Sequence, residues 1–378
     1  MAQRHLRGGT CRSTIITTLL ALCLMLVAAS SAEAGPTLRG VQVHSLWGDV
    51  SEANMDRELD LARGANANVI RVDVGWASLE DQAKGRWNSW YLPRLDRLVN
   101  GASARGMQVI ATVWGTPCWA SSAPASVKQG CANPNWWGEG VQYPPKKASN
   151  FEDITRFLTA RYGTKLAGLE VWNEPNEGTR FLNAPDQAAA YATLLKAGYS
   201  GAKSGNAAVP VIAGALAKAD TNFLSRLYAA GIKGYYDGLS IHPYNEWRAP
   251  TVDGSDTLNS FKSGIASVHA AQLAAGDNTP LWITEFGWTT ATGTNWHVDA
   301  TQQADYTGQA FGLLASLDYV NAATVYELRD RSNAPADFES NFGMVTSDYA
   351  PKPAYEALKT ALTLPTTAPA PLAAAVTG

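Results

Sequence analysis

Short apolar runs rich in Val and Ile recur along the chain, and between them lie longer stretches in which apolar residues return at helical spacing. The runs predict strands over 39–46, 68–75, 107–114, 166–173, 209–214, 237–242, 280–286 and 320–328. The stretches predict helices over 51–64, 88–105, 150–162, 185–203, 221–230, 256–275, 300–316 and 351–362. Strand then helix, eight times over, is the pattern of an α/β fold on a parallel sheet, and it suits a closed (β/α)8 TIM barrel better than an open doubly wound sheet. No Gly-rich dinucleotide or phosphate-binding fingerprint follows any of these strands. In VIRVDV, residues 69–74, alternation puts Arg71 and Asp73 on one face and Ile70, Val72 and Val74 on the other. The apolar face should meet the helices, which sends Arg71 inward, where an unpaired charge is costly and a carboxylate partner is required. Glu170, on the same strand face as Glu174, is a candidate for that partner.

Three segments stand outside the repeat. Residues 1–34 place Arg4, Arg7 and Arg12 ahead of an apolar run from Ile15 to Ala29 and finish in Ala32-Glu33-Ala34, the layout of a secretory signal peptide. That run is too short to span a membrane comfortably. A soluble secreted protein, extracellular or periplasmic, is therefore expected, with the barrel over 35–363. Residues 115–149 read as an elaborated loop after the third strand, and 364–378 as an Ala/Pro/Thr-rich tail. Of four cysteines, Cys118 and Cys131 remain once the leader is removed, and they are expected to bond to each other in an oxidising compartment. A zinc site is the competing reading, poorly served by two thiols with no histidine between them. Loss of three Arg and one Glu with the leader takes 30 basic and 33 acidic residues to 27 and 32, a net charge of −5. This weighs mildly against nucleic acid or an anionic surface as partner. A monomer without cofactor or metal is expected.

Loops at the carboxyl ends of barrel strands build the site, so strand ends carry the chemistry. They offer His44 and Trp47, Arg71 and Asp73, Trp114, Asn173 and Glu174, His242 and Tyr244, Glu285 and Trp288, and Tyr326 and Glu327. The fifth strand ends in Ala213, Gly214 and Ala215 and looks chemically silent. Two apolar runs each deliver one glutamate near their end: LAGLEVWNEPNEG, residues 166–178, with Glu174, and PLWITEFGW, residues 280–288, with Glu285. Pro175 should hold Glu174 extended and aim it in a fixed direction. Either glutamate alone reads equally well as a structural carboxylate paired with a buried arginine. Together, from the fourth and seventh strands, they would face each other across the barrel mouth. Breaking a glycosidic bond develops cationic charge on the sugar and needs a proton on the leaving oxygen, so it needs one protonated and one ionised carboxyl group. Arg71 and Tyr244 are candidates to keep one of them ionised.

The pair VWNEPN and ITEFGW resembles the retaining glycoside hydrolases of clan A, especially family 39-like and family 5-like members. The resemblance extends to GVQVH at the first strand, VIRVDVGW at the second, SIHPY at the sixth and FGMVTSDYAPKPAYEALK near the end. It implies that Glu174 is the acid/base and Glu285 the nucleophile, that Asn173 bonds a sugar 2-hydroxyl, and that Arg71, His242 and Tyr244 position the nucleophile and nearby hydroxyls. Many relatives carry a tryptophan on strand eight beneath the reacting sugar, where this chain has Tyr326 followed by Glu327. Retention of configuration is expected, with carboxyl groups about 5–5.5 Å apart; roughly 6.5–9.5 Å would indicate inversion.

Thirteen tryptophans add to the picture. Trp47, Trp76, Trp114, Trp119, Trp136, Trp137, Trp172, Trp247, Trp288 and Trp296 fall at strand ends or in the loops that follow, where flat amphipathic rings suit pyranose faces. Trp47, Trp247 and Trp288 are the leading candidates for sugar contacts, with His44 and Tyr326 beside them. His269 and His297 carry no argument. A metal-dependent hydrolase would need more clustered His and Asp than the four scattered histidines that follow the leader. A non-catalytic carbohydrate-binding barrel is the more credible rival, and the presence of both glutamates opposes it. Export and loop tryptophans favour a polysaccharide or oligosaccharide substrate; exo-acting release and transglycosylation stay open.

Overall fold

The computed structural model of the chain describes residues 35–128 and 139–363. Eight parallel strands close into a barrel in chain order. They are β1 (Leu38–Gln42), β2 (Val69–Gly75), β3 (Gln108–Trp114), β4 (Leu166–Val171), β5 (Val211–Ala217), β6 (Gly238–His242), β7 (Leu281–Ile283) and β8 (Val320–Val325). Closure is made by β1 against β8, with Val41 opposite Val325. The helices are α1 (Glu52–Gly64), α2 (Trp76–Leu79), α3 (Tyr91–Ala104), α4 (Ala125–Lys128), α5 (Ala148–Tyr162), α6 (Gln187–Gly205), α7 (Thr221–Ala229), α8 (Lys262–Ala274), α9 (Ala300–Leu314) and α10 (Pro353–Ala361). Side-chain caps start several of them: Ser51 accepts from the Asn54 amide, Asp220 from Phe223, and Asp299 forms a capping box with Gln302. No helix among the described residues is long and apolar enough to cross a membrane.

The expected alternation on β2 holds. Ile70, Val72 and Val74 join the core between sheet and helices, while Val69 packs with Ile110, Ala167, Ile212, Trp282 and Ala322 in a separate apolar cluster. Beyond that cluster the next buried residues on the strands are polar: Arg71, Thr112, Glu170, Ser240 and Thr324. Interior polarity therefore rises toward the carboxyl ends, where a barrel of this kind places its chemistry.

Two strands differ from expectation. β7 stops at Ile283, so Glu285 stands just beyond its end. β5 runs on to Ala217 across a register shift between Ala213 and Leu216, where Gly214 and Ala215 have φ of 105° and 45°. Such an irregularity re-aims a strand beside a site, and the silence expected of this strand end is corrected below. The leader over 1–34, the tail over 364–378 and Cys131, hence the expected Cys118–Cys131 pairing, lie outside the described residues.

Helices α5 and α6 approach closely along a seam of glycines. A Cβ on Gly201 would lie 2.0 Å from the Glu152 carbonyl oxygen, and one on Gly205 would lie 2.4 Å from that of Arg156. Alanine gains about 1 kcal/mol in helix propensity over glycine, but the clash is with backbone and cannot be relieved by a rotamer. Gly201→Ala should therefore lower stability by roughly 1–3 kcal/mol net, read as a shift in the denaturant midpoint at constant slope.

Candidate active site

Arg71 organises the centre of the barrel. Its guanidinium is fully buried and gives one Nε bond to Glu170 Oε2 (2.8 Å) and one Nη2 bond to Asn173 Oδ1 (2.9 Å). Its Nη1 donates to both Gln42 Oε1 and Glu285 Oε1. Burial alone would push the arginine pKa down, but the carboxylates of Glu170, Glu285 and Asp73 outweigh it and raise it. Glu170 is thus the inward partner that alternation called for, and Thr112 Oγ1 also donates to its Oε2 at 2.6 Å.

The two glutamates converge. Glu285 accepts from Arg71 on Oε1 and from the Tyr244 hydroxyl on Oε2, at 2.9 Å. Glu174 Oε1 lies 2.9 Å from His242 Nδ1, whose other nitrogen is 3.1 Å from Thr284 Oγ1. One carboxylate oxygen from each glutamate and one His242 nitrogen all fall within 4.8 Å of one another. Burial and then the neighbouring charge of Glu285 push the Glu174 pKa up, against the pull of His242. His242, fully buried, has its pKa lowered by burial but raised on balance by Glu285 and Glu174. The Tyr244 phenol is raised well above its usual value by burial and by both carboxylates, so it stays a donor.

Backbone geometry aims Glu174 differently from the expected extended form. Its φ is 38°, and Trp172 two residues earlier has a φ of 69°. Both lie in the region that disfavours side chains and costs of order 1–3 kcal/mol each. Tertiary bonds hold them there: Glu174 N–H donates to the Ala215 carbonyl at 2.9 Å, and Trp172 donates from its amide to Val113 and from Nε1 to Phe181. Ala215 sits at the irregularity in β5 and is fixed by a 2.6 Å bond from its amide to Ser240 Oγ. The strand end that looked silent therefore anchors the backbone of Glu174, and Ala217 and Lys218 beyond it line the cavity.

A cavity of about 960 Å³ opens above the glutamates. Among the expected residues, His44, Trp47, Asn173, Glu174, Tyr244, Glu285 and Tyr326 line it, while Arg71 and His242 lie beneath its floor. Tyr326 meets Tyr244 and Phe342 edge to face at 6.3 and 5.4 Å. His44 stacks on Trp47 at 4.2 Å and touches Glu327 at 2.8 Å. Burial, together with Asp330 and Glu339, raises the Glu327 pKa well above normal, and burial with nearby arginines lowers that of His44, while Arg331 Nε lies 3.3 Å from the other Glu327 oxygen.

The tryptophans divide by burial. Trp288 is corrected: it is 1% exposed, packs on Phe261, Phe286 and Tyr306, donates to the Arg248 carbonyl, and does not line the cavity. Trp76 and Trp172 are likewise interior. Trp247 stands outside the lining, 39% exposed and stacked 6.5 Å from Trp296, which lines the cavity with Trp114.

Sequence reasoning missed Gln42, Thr284, Arg180, Arg331 and Glu339. Gln42 was legible, since alternation from His44 points it inward, where it links Arg71 to Asp73. Glu339, from the loop after β8, lies 3.7 Å from both Arg331 and Arg180, the latter on the loop after the opposite strand β4. Nothing periodic marks such a loop contact, and exposed pairs of this kind contribute about 0–1 kcal/mol. Glu174, His242 and Glu285 are the only three residues among those described whose atoms are spaced for a metal ion. The guanidinium on Glu285 opposes a second cation there by like-charge repulsion.

Comparison with known proteins bears on this geometry. A family model described as Cellulase (glycosyl hydrolase family 5) matches residues 27–326. No curated protein matches the chain in sequence. Similar solved structures include a family 39 glycoside hydrolase from Bacteroides cellulosilyticus WH2, with 22% identity, a TM-score of 0.68, and coverage of 87% of this chain and 64% of that one. An exo-β-1,4-mannosidase from Opitutaceae bacterium strain TAV5 shares 18% identity at TM-score 0.60, covering 88% and 61%. A monomeric β-xylosidase from Caulobacter crescentus CB15 shares 20% at TM-score 0.60, covering 88% and 70%. The chain thus spans somewhat less than two thirds of the first and second of these proteins.

Removing Arg71 should strand two buried carboxylates. Arg71→Met is expected to cost about 3–5 kcal/mol of stability, measured by chemical denaturation, and adding Glu170→Gln should recover part of it. In Glu285→Gln the Glu174 pKa should move down, because a charge that raises it is gone; carbon-detected NMR titration of the Glu174 carboxyl reads the direction.

Proposed function

Because the chain belongs to the cellulase family, glycosyl hydrolase family 5, we propose that it is a retaining glycosidase of β-linked glycans that works through a covalent glycosyl-enzyme. The observation that carries the reading is the approach of Glu174 and Glu285 to within 4.8 Å by one oxygen each, a closeness that favours the carboxyl pair of a retaining enzyme, about 5–5.5 Å apart, over the roughly 6.5–9.5 Å pair of an inverting one. Their surroundings differ in the needed sense. Glu285 rests on a guanidinium and a phenol that both donate to it, which leaves it an acceptor and a nucleophile. For Glu174, burial and the neighbouring charge of Glu285 raise the pKa, the direction a proton donor requires.

In the first step an oxygen of Glu285 attacks the anomeric carbon while Glu174 gives its proton to the departing glycosidic oxygen. Ester formation removes the Glu285 charge, so the influence that kept Glu174 protonated falls away just as the residue has lost its proton. Glu174 then takes a proton from water, water attacks the anomeric carbon, and Glu285 leaves as carboxylate. Asn173 is held by Arg71 on the cavity wall, which supports the bond to the sugar 2-hydroxyl that the family resemblance implies for it. The names of two similar structures, a β-mannosidase and a β-xylosidase, support β-linked sugars. Export through the basic and apolar leader of residues 1–34 belongs to the same reading.

Glu174→Ala and Glu285→Ala should each lose roughly 10²–10⁴-fold or more in kcat on an aryl β-glycoside. Azide should restore turnover, giving a β-glycosyl azide from the first variant and an α-glycosyl azide from the second; full activity in either variant ends the assignment. In the unaltered enzyme kcat/KM should decline as pH rises through the raised Glu174 pKa, since the proton donor is then lost, and a pH-rate profile tests this.

A further inference from the structure

Trp90 takes no part in the site described so far, yet its setting is unusual for a surface aromatic. It is 51% exposed on the loop after β2, at the start of α3. A single exposed aromatic needs no explanation, but this one is held from behind. The Arg94 guanidinium lies 4.6 Å from the ring centroid. Arg94 is itself buried and fixed by bonds from Nη2 to the carbonyls of Ser45, Trp47 and Val50, at 2.9, 3.3 and 2.6 Å. The backbone is pinned as well, because Asn88 Oδ1 accepts from the amides of both Trp90 and Tyr91 at 2.9 Å. One ring face is covered by a locked cation and the ring remains largely open to solvent, so little side-chain entropy is left to lose on stacking.

The ring also borders a depression of about 240 Å³, the room of about eight waters. Trp47, Gly48 and Asp73 line both this depression and the catalytic cavity, so the two spaces adjoin. Ser78 and Asp73 are polar residues in the lining of the depression. Across the mouth, Trp296 and Trp247, 51% and 39% exposed, stand on the loops after β7 and β6, and β6 is opposite β2 in the closed order. Exposed indoles therefore stand on loops that follow opposite strands of the barrel, β2 and β6.

We propose that Trp90 is the stacking platform of a distal sugar subsite, reached from the catalytic cavity past Trp47, and that the enzyme binds a chain of several β-linked sugars rather than a disaccharide alone. This rests on the glycosidase reading above. Flat indole against a pyranose face, with Asp73 and Ser78 at the ring's hydroxyl edge, is the chemistry such a subsite needs.

The test compares the full chain with Trp90→Ala and Trp90→Phe on aryl β-glucoside, β-mannoside and β-xyloside, and on β-1,4-linked oligomers of the accepted sugar from dimer to hexamer. The ratio of kcat/KM on hexamer to that on aryl glycoside should fall roughly tenfold in Trp90→Ala, mainly through KM, and recover largely in Trp90→Phe. A loss equal for every substrate length, or none at any length, overturns the subsite while leaving the glycosidase reading intact. No turnover of any of these substrates by the unaltered enzyme overturns both.

Discussion

A buried guanidinium with no route to water must be surrounded by acceptors, and Arg71 imposes that demand on the whole upper barrel. Taking such an ion out of water costs several kcal/mol even after relaxation. Four side chains from four places meet the demand: Gln42 from β1, Glu170 from β4, Asn173 just past β4 and Glu285 just past β7. Each is thereby held at a defined position, so that one satisfied charge orients Glu285 and Asn173 together. The cluster repays its desolvation only when complete, which makes the site cooperative with the fold around it.

A second layer of electrostatics separates the roles of the two glutamates. They are close enough that ionising both is unfavourable, and the cation and phenol lie on Glu285 while an imidazole lies on Glu174. Burial, and then the charge of Glu285, raises the Glu174 pKa, while Arg71 and Tyr244 both donate to Glu285. The same proximity couples the titration of Glu174 to the charge of Glu285. Backbone strain is concentrated here too: Trp172 and Glu174 adopt positive φ values, the first held by Val113 and Phe181 and the second by the irregular end of β5.

Aromatic residues illustrate why position along a strand is an incomplete guide. Trp288 and Trp47 both follow strand ends, yet Trp288 is wedged among Phe261, Phe286 and Tyr306 while Trp47 lines the cavity. A large ring just past a strand can fill the joint between loop and helix or stand in the opening above the barrel. Which it does depends on the direction in which the loop leaves, and that direction is set by partners distant in sequence.

The amino-acid order determined the eight strand and helix pairs, the inward face of β2 and the two glutamates at strand ends, because period-two and helical periodicities are local and survive without knowledge of partners. It also called for the ion pair of Arg71 and singled out Glu170, since burial of a charge is a rule that needs no coordinates. Tertiary structure alone decided the φ of Glu174, the anchoring part played by β5, the interior placement of Trp288, and the meeting of Glu339 with Arg180 and Arg331. These depend on contacts between segments joined only by barrel closure, whose geometry is a sum over eight strands. Local sequence encodes which side chains turn inward; the closed ring sets how near they come to one another.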